Sequence, residues 1–316
     1  MRMFHITNYK LYDKRVNSDF RIGIVSDLHF SYRVSNKTLD GILRNLKYMA
    51  VDYIFIPGDL IDSVNTIENI SERKRLFDWI WKLGQIGIVL LSLGNHDRYK
   101  KKENISKGDS MWGYDDSDKF FKEIKSIKNV YVLDNDFYED ERIYVVGFTQ
   151  SNSYYHTKRK ATILRPALEN KAVFLKEIRS IDFIHNLPKN KIKMILIHSP
   201  VYLNDKEISL ELNEFDYFIS GHMHNGCVPP ILNEIWNSTR GFIAPDRRLF
   251  PDNERNTLKN KNDKIIVNGP ITTFQDCAGK LHVFNWFYPK YISIINFTSD
   301  KTYDRQKIFV RRNYIR

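Results

Sequence analysis

The chain has 316 residues, 42% of them hydrophobic, with 18 Tyr and 20 Phe, enough apolar material for a full core and too much for global disorder. A formal net charge of +11 favours anionic partners such as phosphorylated metabolites, nucleic acid or acidic lipid head groups, and is equally consistent with a Lys-rich solubility surplus. No apolar run reaches membrane-spanning length, Met1 to Lys10 lacks the apolar core of a secretory signal, and two cysteines, Cys227 and Cys277, suit a reducing compartment better than a disulfide framework. The expected location is therefore cytoplasmic, with peripheral membrane contact as a weaker alternative.

In chain order, the first strand is expected over Arg21–Ser26 and stops at Asp27-Leu28-His29. A helix follows over Lys37–Met49, where Leu39, Ile42, Leu43, Leu46 and Met49 recur at helical spacing. Tyr53–Ile56 reads as a buried strand ending in Pro57-Gly58-Asp59. A second helix fits Glu68–Leu83, and a third strand, Ile86–Leu91, runs into Gly94-Asn95-His96-Asp97. Later come a strand over Tyr144–Phe148, a helix over Lys171–Ile184 and a strand over Lys193–Ile197 that ends at His198. A further strand, Phe215–Ser220, ends at Gly221-His222-Met223-His224. Strands alternating with helices imply βαβ units, an α/β class and a largely parallel sheet.

Four later runs, Ile265–Val267, Leu281–Phe284, Tyr291–Phe297 and Lys307–Val310, are expected as antiparallel strands. Arg98–Asp116, Gln150–Asn170 and Asn225–Asp263 lack periodicity and read as long loops. The aromatic stretch from Phe284 to Tyr291 is expected as a hairpin turn with partly buried rings, with a lipid-facing patch as the competing reading. With no repeat and no low-complexity linker, residues 1–316 are read as one domain. Its motif core covers about 20–225, and residues 226–316 complete the fold.

Five polar clusters each follow directly on an apolar run: Asp27/His29, Asp59, Asn95/His96, His198 and His222/His224. In open α/β sheets the ligand crevice lies at the carboxyl ends of the strands, so these residues are expected to meet in space. Carboxylate and amide oxygens with imidazole nitrogens, and no thiolate, suit divalent Mn, Fe, Zn or Co. The donor count exceeds the need of one ion, and two ions about 3.5–4 Å apart can share one carboxylate. Such a pair would retain a net positive charge, attract an anionic phosphate and make hydroxide available near neutral pH.

Asp27-Leu28-His29, Gly58-Asp59-Leu60-Ile61-Asp62, Gly94-Asn95-His96-Asp97, His198 and Gly221-His222-Met223-His224 together resemble the ordered motifs of the calcineurin-like metallophosphoesterase superfamily. The resemblance implies a four-layer αββα sandwich of two mixed sheets flanked by helices. It also implies that Asp27, His29 and His224 hold one metal, that Asp59 bridges, and that Asn95, His198 and His222 hold the second. Asn95 and His96 would contact the substrate phosphate, or His96 would protonate the leaving oxygen, with Asp62 or Asp97 as the residue expected to orient that ring.

Ser63-Val64 and Asp97 stand where protein serine/threonine phosphatases carry Arg-Gly and Glu, so the chain looks more like small bacterial phosphodiesterase-type members. Gly241–Pro245 and Leu249–Pro251 are similar to a segment of lipid-nucleotide pyrophosphatase relatives, but Asn225-Gly226 replaces their Gly pair. The implied activity is hydrolysis of a phosphodiester or pyrophosphate-type bond. A nuclease of the same fold and a non-catalytic metal-binding scaffold are the alternatives. No protein partner is inferred.

Overall fold

The computed structural model describes residues 4–100, 114–155, 170–228, 232, 241, 243, 264–274, 283–301 and 306–311. The chain opens with β1 (Phe4–Tyr12) and β2 (Phe20–Ile24). Next is α1 (Asn36–Tyr48), capped by the Ser35 hydroxyl accepting from the Thr38 N–H and burying Leu39, Ile42 and Leu46. After β3 (Tyr53–Pro57) come the short α2 (Val64–Glu68), α3 (Ile70–Gly84) and β4 (Ile88–Ser92). They are followed by α4 (Tyr114–Ile124), β5 (Val130–Val132), β6 (Asp136–Glu139) and β7 (Ile143–Phe148). Then come α5 (Asn152–Tyr155), α6 (Lys171–Arg179), β8 (Ile192–Ile197), α7 (Lys206–Glu211) and β9 (Tyr217–Ser220). β10 (Ile265–Val267), β11 (Lys290–Thr298) and β12 (Gln306–Arg311) close the series.

The described strands form two mixed sheets, in the orders β12-β1-β11-β2-β3-β4-β5 and β10-β9-β8-β7-β6. Period-two alternation sends each strand's side chains to opposite faces, and both faces are apolar here. Ile22, Ile24, Tyr53, Phe55 and Leu90 of the first sheet meet Val145, Met194, Leu196 and Ile219 of the second, making the central layer. On the outer face of the first sheet, Ile54, Ile56, Val89 and Leu91 pack against Leu39, Ile42, Leu76 and Ile80 of α1 and α3. On the outer face of the second, Val146, Phe148, Ile195 and Ile197 pack against Phe174, Ile178 and Ile208 of α6 and α7. The result is the four-layer αββα sandwich. Polar ties cross the central layer as well. The Tyr53 hydroxyl on β3 donates to Asp140 in the β6–β7 turn, and that carboxylate also accepts the N–H groups of Arg142 and Ile143. Burial alone would raise the Asp140 carboxyl, but these donors hold it below the ordinary carboxylate range.

Several expectations from the sequence need correction. The helix expected over Glu68–Leu83 is α3, which begins two residues later because the Asn69 side chain accepts from the Ser71 and Glu72 N–H groups. The helix over Lys171–Ile184 stops at Arg179, and Asp182–Ile184 forms a separate 3-10 turn. Phe215 is buried before β9 rather than in it. β10 pairs with β9 in parallel, not antiparallel, and β11 is parallel to β1 while antiparallel to β2. Val283–Trp286 is a 3-10 turn, so Phe284 is not in a strand; Leu281 lies outside the described residues. β1, α2, α4, β5, β6, α5 and α7 have no counterpart in the sequence reading. Most of the three aperiodic segments, with Cys277 and the Leu249–Pro251 motif, lies outside the described residues. Among the described residues, no helix is long and apolar enough to cross a membrane.

Candidate metal centre

Five strand ends deliver the polar clusters to one place. β2 and β3 are parallel neighbours, and the segments leaving them stay side by side: the N–H groups of His29 and Phe30 donate to the carbonyls of Asp59 and Leu60. That register sets His29 beside Asp59. β8 and β9 lie in the other sheet, and the Gly221 N–H donates to the His198 carbonyl, which keeps the His198 and His222 segments together. Asp27, His29, Asp59, His222 and His224 all adopt positive φ, between 43° and 67°. A left-handed backbone is costly for a residue with a side chain, and such strain concentrates at functional sites. Here it turns the chain sharply at the strand end. Two motif glycines are needed for space: a Cβ on Gly94 would collide with the Asp59 carboxylate, and one on Gly221 would lie 2.5 Å from Asp27 Oδ2.

The donor atoms converge in two groups that share Asp59. On one side, His29 Nε2 and His224 Nε2 are 3.2 Å apart, and His224 Nε2 is 3.6 Å from Asp27 Oδ1. On the other, Asp59, His198 and His222 present ligand atoms within 4.8 Å of one another. Asp59 Oδ2 stands between, 3.6 Å from His29 Nε2 and 3.1 Å from His198 Nε2. The same 4.8 Å limit also groups His29, Asp62 and His96. Asp27, His29, Asp59 and His198 are at most 1% exposed.

Backbone carbonyls orient the rings. A carbonyl can only accept, so each imidazole nitrogen facing one carries the proton. His198 Nδ1–H donates to Pro57 O at 2.8 Å, His224 Nδ1–H to Thr273 O at 2.6 Å, and His96 Nδ1–H to Asp62 O at 2.7 Å. For His198 and His224 this points Nε2 into the cluster. The carboxylates are fixed too, with His222 N–H donating to Asp27 Oδ1 and His96 N–H to Asp59 Oδ1, both at 2.9 Å. Asp62 thus orients His96 through its carbonyl. The Asp97 carboxylate instead accepts the N–H groups of Gly94 and Ile61, a structural role.

These residues fit divalent cations. Asp27 Oδ2, His29 Nδ1 and Asn95 Oδ1 are buried without a hydrogen-bond partner, an arrangement that is costly unless another species satisfies them. Burial drives the His29 imidazole well below its usual range and also lowers that of His224, which favours the neutral ligand form. Burial opposes a charge on His198 as well, but Asp59 beside it prevails and pushes it up to about 9. Burial would raise Asp59, yet the surrounding imidazoles hold it well below the carboxylate range. A proton on His198 thus stands where a cation would otherwise balance Asp59. Burial, with Asp59 adding to it, pushes the Asp97 carboxyl up to about 7.

The sequence reading missed a support behind His198 and His222. Tyr155 lies against the His222 ring at 5.6 Å between centroids and donates its hydroxyl to Gln150 Oε1, which also accepts from the Ser199 N–H. Gln150 and Tyr155 fall within the segment read as an aperiodic loop, and their residue types carry no ligand signal.

Residues 20–226 match the family described as calcineurin-like phosphoesterase. No curated protein matches the sequence. Among solved structures, the chain is similar to a dimetal phosphatase from Danio rerio at 12% identity, covering 79% of this chain and 87% of that one, with a TM-score of 0.42. It is also similar to a purple acid phosphatase from yellow lupin (Lupinus luteus) seeds, at 15% identity, 67% and 39% coverage and a TM-score of 0.36. An archaeal phosphodiesterase matches at 13% identity, 83% and 87% coverage and a TM-score of 0.30. Because the family match spans well over half of the 316 residues and every motif of the centre, the chain belongs to the calcineurin-like phosphoesterase family.

Proposed function

We propose that this protein is a dimetal-dependent hydrolase of phosphoesters, with a preference for a diester or pyrophosphate-type bond. Asp27, His29 and His224 would hold one divalent ion and Asn95, His198 and His222 the other, with Asp59 as the carboxylate shared between them. The observation that carries the reading is the position of Asp59 Oδ2 between the Nε2 atoms of His29 and His198. When bound, two cations polarise the phosphoryl oxygens and lower the pKa of a water toward neutrality. The protein's own part is to orient the His198 and His224 rings through the carbonyls of Pro57 and Thr273, while burial favours the neutral form of His29 and His224. His96 supplies a proton to the departing oxygen and, with Asn95, orients the phosphate. Its ring sits edge-on to His29 at 4.6 Å between centroids, held by the Asp62 carbonyl. Donors limited to carboxylate, amide and imidazole favour Mn, Fe, Zn or Co.

The test is metal-reconstituted hydrolysis of bis-p-nitrophenyl phosphate against p-nitrophenyl phosphate, comparing wild type with Asp59→Asn. The expected result is faster turnover of the diester and a loss of at least about 100-fold in kcat for the variant, with less metal bound per chain. Near wild-type rate and metal content in Asp59→Asn would remove the bridging assignment.

A further inference from the structure

A cavity of about 280 Å³ opens directly beside His29. Its floor is apolar and buried, with Val34 at 6% and Ile271 at 3% exposure, while Val283 at 53% and Trp286 at 65% stand at its mouth. Arg33 and Lys290 bring two cationic side chains to the same walls. Large apolar side chains exposed around one opening are unusual on a surface with nothing to bind, and Phe284 and Phe287, exposed as well, belong to the same stretch of chain as Val283 and Trp286.

The cavity is tied to the metal centre by a short segment. Thr272 N–H donates to the Asp27 carbonyl, the Thr272 hydroxyl donates to the Leu28 carbonyl, and the Thr273 carbonyl receives the His224 Nδ1–H. The next residue, Phe274, is clasped to Asn285. Its N–H donates to Asn285 Oδ1 at 2.8 Å, and Asn285 Nδ2 donates back to its carbonyl at 2.6 Å. The turn carrying Val283 and Trp286 is thereby fixed relative to His224 and Asp27. Trp286 is further stacked on Phe287, with ring centroids 3.4 Å apart. One end of the cavity is a candidate metal ligand, Val34, Ile271, Val283 and Trp286 give it apolar surface beside the polar Ser31, Thr38 and Thr272, and Arg33 and Lys290 carry positive charge. A molecule matching all three has a phosphate at the His29 end and an apolar organic group in the cavity.

We propose that this cavity is the specificity subsite for the organic group of the ester, and that the substrates are phosphoesters bearing a compact aromatic or branched apolar group. The volume falls just below the range of small-ligand clefts, about 300–1,000 Å³, so it takes a ring system or short branched chain rather than a whole extended molecule. Trp286 covers one face of that group, and Asn285 acts as a positioning residue through the Phe274 clasp.

This subsite rests on the phosphoesterase reading, and the test separates the two. Binding of 1-naphthylphosphonate and of methylphosphonate, neither of which is hydrolysed, is measured by calorimetry on the Mn-loaded full chain. The wild type should bind the naphthyl compound at least about tenfold more tightly, from the apolar area that it buries. Trp286→Ala should shrink that ratio at least about fivefold, whereas Trp81→Ala, an exposed tryptophan outside the cavity, should leave it intact. A ratio near one in the wild type, or an unchanged ratio in Trp286→Ala, overturns the subsite. Hydrolysis of bis-p-nitrophenyl phosphate by the same preparation reports on the parent reading: with activity present and no naphthyl preference, the subsite alone falls. With neither, both fall.

Discussion

His96 shows how one side chain's task follows from its neighbours. Its Nδ1–H is committed to the Asp62 carbonyl and its N–H to Asp59 Oδ1, which leaves Nε2 for a substrate oxygen. On the proposed reading, a ring in that position transfers a proton without ligating. His96→Ala should therefore retain both metals, by elemental analysis, while kcat for an alkyl ester falls about 10²–10⁴-fold. Loss of an equivalent of metal would place His96 among the ligands instead. The convergence of Asp27, His29, Asp59, His198, His222 and His224 was legible in the sequence because their chemistry resides in residue type and in position after an apolar run. The carbonyls of Pro57, Asp62 and Thr273, which hold the rings, were not legible. Every residue has a carbonyl, and only the folded path of the chain decides which one faces an imidazole. Asp97 shows the same limit from the other side: a carboxylate next to His96 looks like its partner, yet it spends both oxygens on backbone N–H groups.

At the scale of elements, the helices with strong periodicity were readable and their interruptions were not. Leu76, Ile80 and Leu83 mark one face of α3 clearly, but its first turn carries no such mark, since Ile70 is exposed. The overlooked signal was the cap: Asn69 followed by Ser71 and, three residues on, Glu72 is a helix start. Replacing Asn69 by Ala removes an acceptor for two N–H groups and should cost about 1 kcal/mol, within a range of about 0.5–2, read from the urea midpoint. Kinetic constants should not move, because Asn69 touches nothing in the metal centre; a fall in kcat with unchanged stability would contradict this account. β5 and β6 went unread for a different reason. Three and four residues are too few to express a period, and they are strands because β4 and β7 offer free edges beside them.

For the whole molecule, alternating strands and helices made the layered α/β architecture legible, since strands apolar on both faces require cover on both sides. Strand direction late in the chain was not legible. β10 joins β9 in parallel and β11 inserts between β1 and β2, pairings that depend on a return across the molecule rather than on local pattern. Through β11 and the Gly269–Phe274 segment, the late chain reaches Asp27 and His224, so the centre and the fold stabilise each other. The centre gathers two carboxylates and four imidazoles where water is excluded, and cations that bind only the folded chain should relieve that cost. At about 100 times the dissociation constant, one ion adds about 2.7 kcal/mol of stability. Unfolding entropy of about 2.1 cal/mol/K per residue over 316 residues turns this into a rise of about 4 °C in Tm. Scanning calorimetry of the chelator-treated chain, with and without Mn, Zn, Co or Fe(II), should show this rise for at least one metal, and Asp59→Asn should gain less because its amide replaces the shared carboxylate. If no metal shifts the Tm of the wild type, the cluster is a hydrogen-bonded polar core, and the hydrolytic reading loses the centre on which it stands.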